Sequence, residues 1–173
     1  MGQKQVPKIA GKVRRRGSIL LPSTSRGQPW IWAEAPACDE ELGPYTGKWL
    51  LRVPSDDVDA TWAKVAAATV AGELGIEAKV STRGNNETSR HAEGADTHVI
   101  CVYTRDCRDV VDVEQVLAKL RGLGFGGLLT YKEDGATYAG VYGKGASLFV
   151  ARPGSTTAGR RREAIPAPPD VPG

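Results

Sequence analysis

The amino-acid sequence predicts an α+β domain in which an antiparallel or mixed sheet is backed by two helices on one face. Three observations lead to this fold class. Short apolar segments with alternating polar residues recur along the chain and are typical of strands. Two longer segments carry apolar residues at helical spacing. Several predicted strands follow one another without an intervening helix, which breaks a uniform α/β alternation.

The first strand and helix of this pattern lie next to each other. A strand over residues 48–53 ends at Pro54, and Ser55 is predicted to cap the helix that follows. Three aspartates near the start of that helix are expected to stabilise it, because their negative charges lie at the positive end of the helix dipole. Gly72 and Gly75 predict where the helix ends. Its apolar face consists of Val58, Trp62, Val65 and Thr69.

The middle of the chain repeats this order with a longer connection. Residues 76–82 alternate and predict a strand, residues 83–96 form a polar loop, and residues 97–104 predict a second strand. Asp106 or Asp109 then caps the second helix. Its apolar face consists of Val113, Val116, Leu117 and Leu120.

The last part of the predicted domain contains only strands. Residues 128–132 predict one strand, and residues 133–135 predict a turn. Two further strands are expected at 136–142 and 147–150, joined by the turn Gly143-Lys144-Gly145.

Charge divides the 173-residue chain into three parts. Residues 1–28 contain seven Lys or Arg and no acidic residue, and residues 152–173 contain four Arg and two acidic residues. Residues 29–151 contain twelve basic and eighteen acidic residues. Both ends are rich in Gly and Pro without apolar periodicity, which predicts disordered tails. We therefore expect one acidic domain at 29–151 between basic tails, and those tails are either solvated or contact nucleic acid or an acidic partner.

Several classes of protein are not favoured. No segment approaches the roughly 18 apolar residues of a membrane helix, and the apolar run at 19–21 is too short for a signal-peptide core. The three Cys include no Cys-x-x-Cys pair, so neither a disulfide framework nor a zinc site is supported. A cytoplasmic protein with no cofactor, no metal and no membrane contact is expected.

Cations are the most informative candidate site residues. Strand alternation places Lys79 on the same face as Glu77 and Ser81. In the next strand, Tyr103 and Arg105 share a face. On an open sheet face these residues would form an anion site, whereas the alternative is ordinary cross-strand ion pairing. Further cations near this region are Arg83, Arg90, Lys132 and Lys144.

Aromatic residues offer a second candidate feature. Trp30 and Trp32 lie in an alternating segment that is typical of an edge strand, where indole rings can stack on a base. Trp49 and Trp62 are instead predicted to lie in the core. His98 is expected at a core or edge position.

Residues in several of these segments resemble the basophilic-leukaemia-expressed protein family. The resemblance covers nearly all of 29–150, and it implies a curved antiparallel sheet backed by helices, like that of the cap-binding translation initiation factor. The segments that carry it are Pro29-Trp-Ile-Trp32, Gly47-Lys-Trp-Leu50, Ala78-Lys-Val-Ser-Thr82, Thr97-His-Val-Ile-Cys-Val-Tyr-Thr104, Tyr131-Lys132 and Thr137-Tyr-Ala-Gly140.

The sequence also resembles, more faintly, the bacterial phosphothreonine lyases. Lys79-Val80-Ser81 is similar to their Lys-Val-Thr run, and Tyr103-Thr104-Arg105 is similar to their Tyr-x-Lys phosphate contact. This resemblance implies that Lys79 abstracts the Cα proton of phosphothreonine while cations hold the phosphate during β-elimination. A lysine near other cations and partly desolvated has the lowered pKa that this role requires.

The chain departs from that family at the general acid. The lyases carry a His after the Lys-aromatic pair of their first strand, whereas Leu50 follows Lys48-Trp49 here. Either His91 or His98 replaces this acid, or the domain binds phosphate without eliminating it. His98 alternates away from Tyr103, so His91, in a polar loop, is the flexible option.

Three functional hypotheses follow. The leading one is a phosphothreonine lyase-like domain acting on a phosphorylated peptide or protein, with Lys79 and His91 as catalytic residues. The second is a non-catalytic module that binds a nucleotide, an RNA end or a phosphopeptide, with Trp30 and Trp32 stacking and with nucleic-acid contacts through the tails. The third is a protein-interaction module without a ligand. The candidate phosphate contacts are Tyr103, Arg105, Arg83, Arg90 and Lys144.

Overall fold

The computed structural model describes residues 20–36, 42–89 and 92–169. Within these ranges the chain forms seven strands and four helices. The strands are Trp30–Glu34 (β1), Gly47–Pro54 (β2), Glu77–Ser81 (β3), Thr97–Thr104 (β4), Leu129–Glu133 (β5), Phe149–Ala151 (β6) and Gly159–Arg160 (β7). The helices are Ser55–Val70 (α1), Arg83–Thr88 (α2), Val110–Gly122 (α3) and Asp134–Tyr138 (α4).

All seven strands belong to one antiparallel sheet with the order β1-β3-β4-β2-β5-β6-β7. The sheet does not close, so β1 and β7 form its edges. The long helices α1 and α3 connect β2 to β3 and β4 to β5. This arrangement confirms the predicted α+β class.

Both predicted helical stripes form the core. Val58, Trp62, Val65 and Thr69 of α1 are buried, as are the four predicted core residues of α3. The two stripes cover the sheet face that carries Trp49, whose Nε1 donates a 3.0 Å hydrogen bond to an α3 carbonyl. The helix periodicity in the sequence therefore identified the buried residues directly.

The caps of the two long helices differ from each other. Asp109 caps α3 as predicted, and its carboxylate accepts a hydrogen bond from the amide of Asp112 at 3.2 Å. Ser55 does not cap α1: Pro54 occupies the cap position, and the Ser55 hydroxyl is buried without a hydrogen-bond partner. The prediction of a Ser55 cap was wrong, because Ser55 is the first residue of the helix rather than the residue before it.

The polar loop predicted at 83–96 contains helix α2. Thr82 caps this helix by accepting from the amide of Asn85 at 3.3 Å. Asn86 is buried and donates to the carbonyl of Thr97 at 3.0 Å. Such a short polar helix has no apolar stripe, so hydrophobic periodicity could not detect it.

The strand predicted at 136–142 is wrong. The chain forms α4 immediately after β5, where a turn was expected, and the last predicted strand occupies Phe149–Ala151. The Asp134 amide donates to the carbonyl of Thr46 at 2.8 Å, which continues the pairing of β2 with β5 by one residue before the helix. Asp134 and Thr137 then contact Lys48, a long-range partner that the alternating pattern of this segment does not reveal.

The predicted disorder of the C-terminal tail does not hold for residues 152–169. Strand β7 pairs with β6, and the guanidinium of Arg162 forms a double ion pair with the fully buried carboxylate of Glu133. Gly135 allows the passing backbone to approach, since a Cβ there would overlap the carbonyl of Ile165. This segment extends the sheet beyond the predicted domain boundary.

Part of the predicted N-terminal tail also packs on the domain. The backbone amide and hydroxyl of Ser23 both donate to Asp59 of α1, at 3.0 and 2.5 Å. Arg26 forms an ion pair with Glu87 of α2 at 3.0 Å. Residues 20–28 therefore contact the two helices rather than forming a disordered tail. Residues 1–19 lie outside the described part of the chain.

Candidate functional site

One face of the sheet points away from α1 and α3 and carries three lysines. Trp49 lies on the helix side, so strand alternation directs its neighbour Lys48 to the opposite face. The register places Lys48 between Tyr103 of β4 and Lys132 of β5. Lys79 of β3 lies on the same face, opposite Cys101. We call this surface the lysine face, defined by Lys48, Lys79, Tyr103 and Lys132.

The ammonium of Lys79 lies among three aromatic rings. It is 4.2 Å from the ring centre of Trp30, 4.9 Å from that of Trp32 and 5.7 Å from that of Tyr103. Trp32 and Tyr103 stack with their ring centres 6.2 Å apart and their planes inclined by 22°. Lys79 forms no ion pair with any carboxylate in the described ranges. Aromatic faces, rather than an acid, therefore stabilise this charge.

Two opposing effects act on the protonation of Lys79. Burial lowers the pKa of Lys79, and the nearby charge of Lys48 lowers it further, while Asp134 and Glu77 act in the opposite direction. The three rings favour the charged form, because a cation is attracted to an aromatic face. The result is a poorly solvated ammonium to which a negative ligand would be attracted.

Lys48 lies beside this aromatic group and has an acidic partner. Its side chain is almost buried and forms an ion pair with Asp134 of α4. The hydroxyl of Thr137 lies 3.4 Å from the same ammonium, and the ring centre of Tyr103 lies 5.5 Å from it. Lys48 and Lys79 thus flank one ring, and that ring is itself only 4% exposed.

Lys132 is the third cation of the lysine face. Only 7% of its surface is exposed, and its ammonium lies 3.9 Å from the ring centre of Tyr142. Burial lowers the pKa of Lys132, and the charge of Lys48 adds to that effect. The carboxylate of the adjacent Glu133 lies on the other side of the sheet, where Arg162 binds it.

Four of the residues predicted to form the site lie together. Lys79 and Tyr103 belong to the lysine face, and Trp30 and Trp32 lie beside Lys79 on the expected edge strand. Sequence reasoning did not include Lys48, Asp134 or Tyr142 in the site. The pairing register and the position of α4 bring these residues in, and neither was available from the sequence pattern.

The predicted phosphate contacts Arg83 and Lys144 lie elsewhere. Arg83 belongs to α2, where its guanidinium pairs with Glu87 at 2.8 Å. Lys144 is exposed in a turn between Gly143 and Gly145. Arg90 and His91, the remaining loop candidates, lie outside the described residues.

Arg105 follows the end of β4 rather than continuing it. The strand ends at Thr104 and the chain bends at Arg105, so the alternation that placed Arg105 beside Tyr103 stops one residue earlier. Its charge acts on Asp112 of α3, whose pKa it lowers against the larger raising effect of burial. Strand alternation therefore does not place Arg105 on the lysine face.

The proton donor of a lyase is not supplied by the strands of this site. Leu50 lies on the lysine face opposite Cys101, next to the Lys48-Trp49 pair. His98 is fully buried on the other face, where its Nδ1 lies 2.6 Å from the carbonyl of Ser81. Its Nε2 is buried without a hydrogen-bond partner. The expectation that His98 points away from Tyr103 is therefore confirmed.

Two surface hollows lie away from Lys79. The first, of about 280 Å³, lies between residues 26–29 and α2, and the second, of about 310 Å³, lies between residues 35–36 and 72–76. In the ranges described, no three His, Cys, Asp or Glu side chains are grouped closely enough to hold a metal ion. The described helices include none with the length and hydropathy needed to span a bilayer.

The protein is thus an α+β protein with one open antiparallel sheet, and the sheet face that points away from α1 and α3 carries buried lysines and aromatic rings. The model of the family described as basophilic leukemia-expressed protein Bles03 matches residues 37–139. The match covers more than half of the chain, and the protein belongs to this family. The matched range includes all four residues of the lysine face, whereas Trp30 and Trp32 precede it.

Proposed function

We propose that Lys79 and Lys48 of the lysine face, together with the indoles of β1, bind a nucleotide, a phosphorylated ligand with a planar ring, without transforming it. One observation carries this proposal. The Lys79 ammonium is partly buried among three aromatic rings and has no carboxylate partner in the described ranges. A cation without an acidic partner, beside partly exposed indoles, offers both of the contacts that a nucleotide needs.

The phosphate part of the ligand would lie between Lys79 and Lys48. Each ammonium lies within 6 Å of the Tyr103 ring centre, so the two positive charges repel each other. An anion placed between two like charges relieves their repulsion. Partial burial strengthens this attraction, because the effective dielectric constant is lower than in water.

The planar part of the ligand would stack on β1. Trp30 and Trp32 are two residues apart on one face of an edge strand, and both indoles are partly exposed. Stacking of a base on an aromatic side chain contributes about 1–3 kcal/mol. Displacement of Lys79 toward the phosphate would free these rings for the base.

A second candidate function, β-elimination from phosphothreonine, is favoured by the lowered pKa of Lys79. A neutral lysine is the base that this reaction needs. The aromatic rings act against this role because they favour the protonated form. Leu50 cannot donate a proton, and His98 faces the helices. Binding without elimination is therefore the function that we put first.

The binding proposal can be tested by titrating the full chain with adenosine monophosphate. Tryptophan fluorescence should be quenched, and Lys79→Met should weaken the dissociation constant at least tenfold. Trp30→Leu should remove most of the quenching. Lys64→Met, an exposed lysine of α1, is the matched control and should bind like the wild type. Unchanged affinity in Lys79→Met would exclude this site.

The two candidate functions separate in one further assay. The chain is incubated with a phosphothreonine peptide, and dehydrobutyrine and free phosphate are measured by mass spectrometry and a colorimetric assay. We expect neither product. Elimination that is abolished by Lys79→Ala would establish the lyase hypothesis instead. Binding of the phosphopeptide without binding of the nucleotide would contradict the stacking part of the proposal.

A further inference from the structure

Lys48 and Lys132 form a pair of like charges directly opposite each other on neighbouring strands. Both side chains are only 7% exposed. Like charges in this position destabilise a sheet, and burial increases the cost of each. A protein tolerates such a pair when an anion is bound between the two charges or when the charges are otherwise stabilised.

The segment 134–146 provides the groups that now stabilise this pair. Its Asp134 forms the ion pair with Lys48, and its Tyr142 presents a ring to Lys132. Lys132 forms no ion pair with a carboxylate in the described ranges, because Glu133 is held by Arg162 on the opposite face. Of the two buried ammonium groups, Lys48 is therefore neutralised by the Asp134 carboxylate, whereas Lys132 is stabilised only by an aromatic ring among the described residues.

The same segment has a backbone that can be displaced. Its helix α4 has only five residues, and the following chain contains glycines with positive φ at 140, 143 and 145. Positive φ is readily accessible to glycine, so these positions allow the chain to change direction. Tyr138 and Tyr142 are about half exposed, which leaves the outer side of the segment in solvent.

We propose that Lys48 and Lys132 form a second anion subsite, which takes a further phosphate of the ligand in place of the Asp134 carboxylate. This inference rests on the proposed function, since the first phosphate lies between Lys79 and Lys48. The ligand class is then a nucleoside diphosphate or triphosphate rather than a monophosphate. Asp134 acts as an internal competitor for Lys48 until the second phosphate displaces it.

The geometry of the sheet agrees with a ligand of this length. Lys79, Lys48 and Lys132 lie on β3, β2 and β5, and only β4 separates the first two. Neighbouring strands are about 4.8 Å apart, and Lys48 and Lys132 lie in one row across the sheet, whereas Lys79 lies in the next row, two residues along the strands. The path from Lys132 to Lys79 is therefore diagonal, and it continues to Trp32, which pairs with Lys79 on β1, where the base would stack. A base followed by successive phosphates has the same order.

The test compares adenosine monophosphate, diphosphate and triphosphate by isothermal titration calorimetry of the full chain in magnesium-free buffer. The wild type should bind the diphosphate at least tenfold more tightly than the monophosphate. Lys132→Met should leave monophosphate affinity within twofold and reduce diphosphate affinity to the same level. Lys64→Met is the control for loss of one positive charge and should retain the difference.

A second variant tests whether Asp134 competes with the second phosphate for Lys48, and it removes no cation. Asp134→Asn should raise diphosphate affinity several-fold, because the amide no longer neutralises Lys48. If Lys132→Met fails to fold, this variant tests the second subsite in its place. Equal affinity for monophosphate and diphosphate in the wild type, or an unchanged difference in Lys132→Met, would overturn this inference and leave the proposed function intact. Failure of the monophosphate to bind would overturn the proposed function itself.

Discussion

Lys79 is a poorly solvated charge within the folded protein. Its ammonium is removed from water, and the aromatic rings around it replace only part of the lost hydration. An apolar side chain of similar length would fill the same space without a charge to desolvate. Functional sites commonly carry such locally unfavourable residues.

At this scale we expect Lys79→Met to stabilise the protein at pH 7 by about 1 kcal/mol, as functional-site replacements often do. The folded-state pKa of Lys79 is below its ordinary value of 10.5. The wild type therefore gains stability as the pH rises through that lowered pKa toward 10.5, because the folded chain loses the proton first. Thermal melts at pH 7 and pH 10 should show that the difference in melting temperature between Lys79→Met and the wild type is smaller at pH 10.

The exposed Lys64→Met is the control for this comparison and should change the melting temperature by little at either pH. A lower melting temperature for Lys79→Met at pH 7 would mean that the cation–π contacts outweigh desolvation. That outcome would make Lys79 a structural residue of the sheet.

At the scale of elements, the central strand β2 organises the site. It pairs with β4 on one side and with β5 on the other, so Lys48 contacts residues from both neighbours. Its first residue, Gly47, lies where a Cβ would overlap the ring of Tyr131. The hydroxyl of that tyrosine shares a 2.6 Å hydrogen bond with Thr104. A residue without a side chain is therefore needed at the start of β2.

We expect Gly47→Ala to destabilise the protein by about 1–3 kcal/mol, the usual cost of overpacking a core. Urea unfolding followed by circular dichroism measures this change. Gly122→Ala, at the end of α3, is a suitable control, because a Cβ there meets no atom within 4 Å. A destabilisation by Gly47→Ala no larger than that of the control would show that Tyr131 moves aside easily.

At the scale of the whole molecule, the C-terminal segment joins the sheet, α3 and α4. Arg162 binds the buried Glu133 at the end of β5, and the amide of Ile165 donates to the same carboxylate at 2.9 Å. Arg121 of α3 donates to the carbonyls of Ser155 and Arg152, at 2.9 and 2.7 Å. These bonds hold the segment against the end of the site that carries Asp134.

Removal of the Arg162 side chain should therefore lower the free energy of unfolding of the whole domain. We expect Arg162→Met to cost about 3–5 kcal/mol at pH 7, because Glu133 remains buried without its partner. Burial raises the pKa of Glu133, but the bonds from Arg162 and Ile165 lower it by more, so its net pKa is lowered. In the wild type, the stability that the ionised Glu133 contributes through its bonds to Arg162 and Ile165 is lost as the pH falls through this lowered pKa.

The defect of Arg162→Met should shrink on acidification, since an unpaired Glu133 takes up a proton readily. Urea unfolding at pH 7 and pH 4 measures both values. Arg161→Met, an exposed neighbour, is the matched control and should be close to neutral. An equally stable Arg162→Met at pH 7 would show that the C-terminal segment contributes little to the fold.

Local patterns in the sequence predicted the parts of the fold that depend on periodicity. The stripes of α1 and α3 and the strand containing Lys79 follow from the positions of apolar residues, which have a period of 3.6 or 2. The same alternation correctly placed Lys79 on one face of its strand with Glu77 and Ser81, and it directed His98 away from Tyr103. These features need no knowledge of which strands are neighbours.

Only the tertiary structure decided the composition of the site. The antiparallel register brings Lys48 between Tyr103 and Lys132, and α4 forms where the sequence predicted a strand, with Asp134 and Thr137 beside Lys48. Strand pairing and helix formation after β5 depend on residues far apart in the chain. The amino-acid order thus determined which face each residue occupies, whereas long-range packing decided which charges share that face.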